Sequence, residues 1–96
     1  MEKCVLYYTY QNEREVKGMN ENVKKWYMEE YPTDELGIEI NELLTFENVA
    51  DRMKNGEDIY DILNVEDSIV RERVFEQLSK VYNTDYDYWY YLWLAN

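Results

Sequence analysis

Apolar positions recur at helical spacing through most of this chain. Val23, Trp26, Tyr27 and Tyr31 follow the i, i+3, i+4, i+8 pattern of one helix face, with Asn20 placed to cap it. Pro32 stops that helix, because the ring pushes Tyr31 out of the α region. Phe46, Val49, Ala50 and Met53 form a second stripe behind the N-cap Thr45, and Gly56 closes it as the left-handed residue beyond the C-cap. A short helix over Asp58 to Leu63 turns Ile59, Ile62 and Leu63 inward. Asp67 or Glu66 opens the next helix, where Val70, Val74, Phe75, Leu78, Val81 and Tyr82 share a face. In the same helix Asp67–Arg71 and Glu76–Lys80 have the i,i+4 spacing of favourable ion pairs.

Two segments read as strands. Lys3 to Tyr10 is short and rich in β-branched and aromatic residues, and Arg14 to Lys17 continues either as a second strand or as a loop. Leu36, Ile38 and Ile40 alternate with Gly37 and Glu39, the period-two pattern of a half-buried strand. The tail, Thr84 to Asn96, is ambiguous. Thr84 with Asp87 resembles a capping box, and Tyr86, Trp89, Tyr90 and Trp93 would line one helix stripe. Yet Tyr88, Tyr91, Leu92 and Leu94 are apolar too, and such aromatic density also suits a strand; helix is the favoured reading. The expected fold is therefore α+β and helix-dominated, a small two- or three-stranded sheet with four to five helices. Its expected core holds Val5, Leu6, Trp26, Ile38, Ile40, Phe46, Val49, Met53, Ile59, Leu63, Val74 and Leu78.

Ninety-six residues fit one small domain spanning 1–96. Eleven Tyr, three Trp and two Phe argue against disorder, since disordered chains are poor in aromatics. The single cysteine, Cys4, excludes an intramolecular disulfide and reads as a small buried hydrophobe beside Val5 and Leu6. No secretory leader is visible, and no apolar run approaches the roughly 20 residues that span a bilayer, so a cytoplasmic location is expected.

Charge changes the picture most. The formal net charge is −11, and Glu29 to Glu72 accounts for all of it, with 14 acidic residues against Arg52, Lys54 and Arg71. Crowding like charges works against a compact state, so a one-sided field points to a basic partner. The candidate partner-binding residues are Glu29, Glu30, Asp34, Glu35, Glu39, Glu42, Glu47, Asp51, Glu57, Asp58 and Asp61. An alternative interface is aromatic, built from Tyr88, Tyr91 and Leu92, and would serve an adaptor or a homodimer.

Chemistry is sparse. The chain has no histidine, the commonest general base and metal ligand near neutral pH. Ser68 stands where a helix begins, which favours a capping or first-turn role over a nucleophile. Glu57, Asp58 and Asp61 could surround a hard cation, as could Asp85 and Asp87, but no calcium-loop pattern is present and helix capping accounts for most of them. No phosphate-binding glycine motif occurs, and direct nucleic-acid binding is opposed by the overall charge. The expectation is no catalysis, no cofactor and no metal.

In its small size, acidity and aromatic content the chain resembles phage and mobile-element inhibitors of restriction and CRISPR nucleases, some of which imitate DNA. The resemblance is one of general character, and no motif assigns a role to a residue. It implies a binding protein that blocks a basic, nucleic-acid-handling partner.

Overall fold

The computed structural model describes residues 18–95. Among the described residues five α-helices succeed one another from Val23 onward: α1 (Val23–Glu30), α2 (Phe46–Lys54), α3 (Ile59–Leu63), α4 (Ser68–Tyr82) and α5 (Tyr86–Leu94), with a 3-10 turn over Glu35–Glu39 between α1 and α2. There is no strand or sheet among the described residues, so the expected two- or three-stranded sheet is not shown. The nearest approach to one is an isolated antiparallel bridge between Asn22 and Thr45. Here Val23 N–H donates to Leu44 O at 2.8 Å and Phe46 N–H to Glu21 O at 3.2 Å, which pins the start of α1 to the start of α2. The strand expected over Lys3–Tyr10, its continuation at Arg14–Lys17, and the core positions Val5 and Leu6 lie outside the described residues, as does Cys4.

The segment read as a strand at Leu36–Ile40 is a 3-10 turn instead. In that geometry residues three apart eclipse. Gly37 and Ile40 therefore face inward together and are buried, whereas Leu36 and Ile38 are exposed. Ile38, expected in the core, is 56% exposed. The cause is Gly37. A Cβ there would collide with the Tyr27 ring and would lie 2.8 Å from Met28 Sδ, so α1 seats its Tyr27 ring against bare backbone. Only glycine permits this approach, and it fixes which side of the turn faces in.

Capping defines the remaining boundaries. Asn22, not Asn20, caps α1: its side chain accepts from Lys25 N–H at 2.9 Å and its amide donates to Glu42 O. The chain leaves α1 at Tyr31, just before Pro32, as expected. Thr45 and Asn48 form a reciprocal capping box on α2, and Gly56 follows its C-cap at φ 92°. Asp58 caps α3 and Asp67 caps α4. Both of those helices end on an asparagine in the left-handed region, Asn64 and Asn83. The Asp67 carboxylate accepts from Ile69 and Val70 N–H, a capping role in place of the expected pair with Arg71.

One hydrophobic cluster runs through every helix. Val23 and Tyr27 from α1 meet Phe46, Val49, Ala50 and Met53 from α2, Ile59, Ile62 and Leu63 from α3, Val70, Val74, Phe75 and Leu78 from α4, and Trp89 from α5. Trp26 is only partly buried; it packs on the edge of this cluster, edge-on to Phe46 with ring centroids 5.4 Å apart. The tail is helical. Trp89 is buried, and Tyr86, Tyr90 and Trp93 lie against α4 on the expected stripe. Thr84 does not form the expected capping box. Its hydroxyl accepts from the Trp89 indole N–H at 2.8 Å, satisfying a donor that burial would otherwise leave unpaired.

Candidate functional site

The eleven acidic candidates divide by what holds them. Asp34 is not a free surface charge. One of its oxygens accepts from Tyr27 Oη at 2.5 Å and from Arg73 Nη1 at 2.7 Å, and the other accepts from Leu36 N–H as the cap of the 3-10 turn. Arg73 also donates to Tyr27 Oη at 2.8 Å and lies over the Tyr31 ring, 4.0 Å from its centroid. This network ties α4 to α1 and to the 3-10 turn. The Tyr27 hydroxyl bond, with help from Arg73, holds the Asp34 carboxyl below its usual 3.8. Burial, reinforced by the bond to Asp34, pushes Tyr27 up to about 12.

Glu42, Glu57 and Asp58 are also engaged. Lys24 Nζ reaches Glu42 at 3.1 Å. Arg52 grips Glu57 through Nε and Nη2, which lowers that carboxyl's pKa. Asp58 accepts from Tyr60 N–H at 2.8 Å. With Glu57 held by Arg52 and Asp58 by a backbone amide, the trio Glu57, Asp58 and Asp61 does not converge on a cation. No group of three or more Cys, Asp and Glu side chains among the described residues is arranged to hold a metal ion.

The other seven are Glu29, Glu30, Glu35, Glu39, Glu47, Asp51 and Asp61. All are exposed, and among the described residues none has an ion pair or a side-chain hydrogen bond. They extend from the end of α1, over the 3-10 turn, to α2 and α3. Glu47 and Asp51, one turn apart on α2, stand near Tyr82 and add to the burial that raises its hydroxyl to about 12. Glu30 and Glu35 border an open hollow of about 660 Å³ with Tyr31, Pro32, Leu36 and the Asp34–Arg73 pair.

The alternative aromatic interface is brought together only in part. Tyr88 and Tyr91 are exposed at 47% and 63%, three residues apart on α5, and Leu94 continues the same face at 55%. Leu92 belongs elsewhere: it is partly buried against the core, so the sequence-based grouping with Tyr88 and Tyr91 is corrected.

Sequence reasoning also missed Tyr27, Tyr31 and Arg73 as partners of an acidic candidate. Arg73 lies 39 residues from Asp34, and no local pattern joins them. One local signal was present, since Asp34 stands two residues before the backbone amide it caps. No helix among the described residues is long and apolar enough to cross a membrane. Comparisons with protein-family models, curated proteins and solved structures found no match.

Proposed function

We propose that this chain is a non-enzymatic binding protein whose acidic half occupies the basic, nucleic-acid-handling surface of another protein, with restriction and CRISPR nucleases as the target class. The observation that supports the reading is the set of seven exposed carboxylates that have no ion pair among the described residues. Three basic side chains beside it go to other acids, Lys24 to Glu42, Arg52 to Glu57 and Arg73 to Asp34, and Lys54 lies over the Tyr82 ring. A surface charged only for solubility would intersperse both signs. Unpaired like charge instead raises the encounter rate with a positive surface and suppresses wrong partners.

The test is capture of host proteins on the immobilised chain, followed by a challenge with duplex DNA. The expected result is a basic nucleic-acid-binding protein that DNA displaces and that the variant Glu35→Gln/Glu39→Gln/Glu47→Gln/Asp51→Asn/Asp61→Asn fails to hold. A partner that ignores DNA and binds the neutralised variant equally well contradicts the reading.

A second reading rests on Tyr88, Tyr91 and Leu94, which present an apolar face on α5. It makes the chain an adaptor or a homodimer that associates through this helix. Sedimentation equilibrium separates the two, because only the second predicts self-association that Tyr88→Ser/Tyr91→Ser abolishes.

A further inference from the structure

Large apolar side chains stand exposed in the middle of the acidic surface. Leu36 is 37% exposed, Ile38 56% and Leu43 85%, and they are interspersed along the chain with the exposed acids Glu35, Glu39 and Glu42. The geometry of the 3-10 turn sets this mixture. With Gly37 and Ile40 inward, the two outward columns are Glu35 with Ile38 and Leu36 with Glu39, so each pairs one acid with one apolar residue. The chain then bends at Asn41, whose side chain accepts from Leu43 N–H at 3.0 Å and presents Leu43 to solvent. Burial of Ile40 and Leu44 on either side makes this a fixed display, not a frayed loop.

A surface that imitates only a nucleic-acid backbone gains nothing from exposed leucines. Specific protein interfaces, by contrast, place apolar anchors at the centre and charges at the rim. From this charge and apolar complementarity we infer that the surface of residues 35–43 docks a basic amphipathic helix of a protein partner. Leu36, Ile38 and Leu43 meet its apolar stripe, and Glu35 and Glu39 meet the flanking lysines or arginines. The inference rests on the acidic-interface reading above and names the chemistry of the partner's element. The exposed face of α5 has no such charge pattern and gives no comparable indication of what would cover it.

The test uses two synthetic helical peptides of equal positive charge, one with leucine and lysine in amphipathic order, the other with every leucine replaced by glutamine. Fluorescence anisotropy gives the affinity of each for the full chain at two salt concentrations. The wild type is expected to bind the leucine peptide about tenfold more tightly or better, a difference of about 1.4 kcal/mol. Added salt should weaken both peptides and leave their ratio nearly unchanged, because apolar contact is not screened.

Leu36→Ser/Ile38→Ser/Leu43→Ser should bring the ratio close to one without changing the affinity for the glutamine peptide, its fold checked by thermal melting. A wild-type ratio near one overturns the inference. So does a ratio that survives the triple substitution, or one lost on Tyr88→Ser/Tyr91→Ser instead. Failure of the underlying reading has a different signature: the five-charge variant would bind the glutamine peptide as tightly as the wild type.

Discussion

Arg71 and Arg73 stand two residues apart on α4 and serve opposite sides of it. Arg71 is 7% exposed and is enclosed by α5: its guanidinium lies 4.8 Å from the Trp93 ring centroid and 5.5 Å from that of Tyr90, and it donates to Tyr86 Oη at 3.1 Å. Aromatic faces compensate a cation whose Nε finds no hydrogen-bond acceptor among the described residues. Arg73 turns toward the acidic half and meets Asp34, Tyr27 and Tyr31. One region thus buries a positive charge in rings, while the other engages four of its eleven acidic candidates and leaves seven with no ion pair among the described residues. The α4–α5 hairpin gets its cohesion from aromatic area. The acidic half gets its cohesion from the apolar stripe beneath it and from the Asp34–Arg73–Tyr27 network, and its seven other exposed charges take little part in holding it together.

The largest expected effect falls on the aromatic side. Trp89 is 1% exposed and its indole N–H is satisfied by Thr84, so Trp89→Ala should cost about 3–5 kcal/mol, read as a lower urea midpoint. A loss below about 1 kcal/mol would mean that α5 is an appendage and not part of the core.

The equivalent lesion in the acidic half has no side chain to remove. Gly37→Ala inserts a methyl against the Tyr27 ring and Met28 Sδ, and overpacking of this kind costs about 1–3 kcal/mol. Should the variant melt like the wild type, the contact between α1 and the 3-10 turn would not be what orients Leu36 and Ile38 outward.

Titration distinguishes the regions through their few coupled groups. Asp34 has a folded pKa below its usual 3.8, so it contributes stability above that value and the contribution is lost as pH falls further. Tyr27 and Tyr82 behave in the opposite sense. Their folded values near 12 lie above the usual 10.0, so stability should fall as pH rises from about 10 toward about 12. Urea midpoints across both windows check the signs, and Tyr27→Phe should flatten part of the alkaline loss. An alkaline limb unchanged in that variant would show that Tyr27 is not coupled to folding.

Much of the helical part was legible because its signals are local. The stripes of α2, α3 and α4, the caps Thr45, Asp58 and Asp67, and the stop at Gly56 all rest on residues within one turn of each other. The errors lie where a distant contact decides. Alternation over Leu36, Ile38 and Ile40 points to a strand, and the Tyr27 ring against Gly37 selects a 3-10 turn instead. Asn22 outcompetes Asn20 as a cap because its amide also reaches Glu42 O across 20 residues. Thr84 looked like a cap, and the Trp89 indole takes its hydroxyl instead. At the candidate site the acidity was plain in the sequence. Which acids are held and which are free depended on where Lys24, Arg52 and Arg73 fold.

The central claim is that the exposed carboxylates do not hold the fold together and leave it under mutual repulsion. Urea unfolding of the wild type and of Glu35→Gln/Glu39→Gln/Glu47→Gln/Asp51→Asn/Asp61→Asn, each at about 0.01 M and about 1 M sodium chloride, tests it most directly, because the screening length falls from about 30 Å to about 3 Å between them. The wild type should gain stability with salt. The variant should start at or above the wild type in low salt and gain less. A wild type that loses stability with salt, or a variant that is substantially less stable at low salt, would show that these carboxylates are attractive partners within the fold and contradict the account.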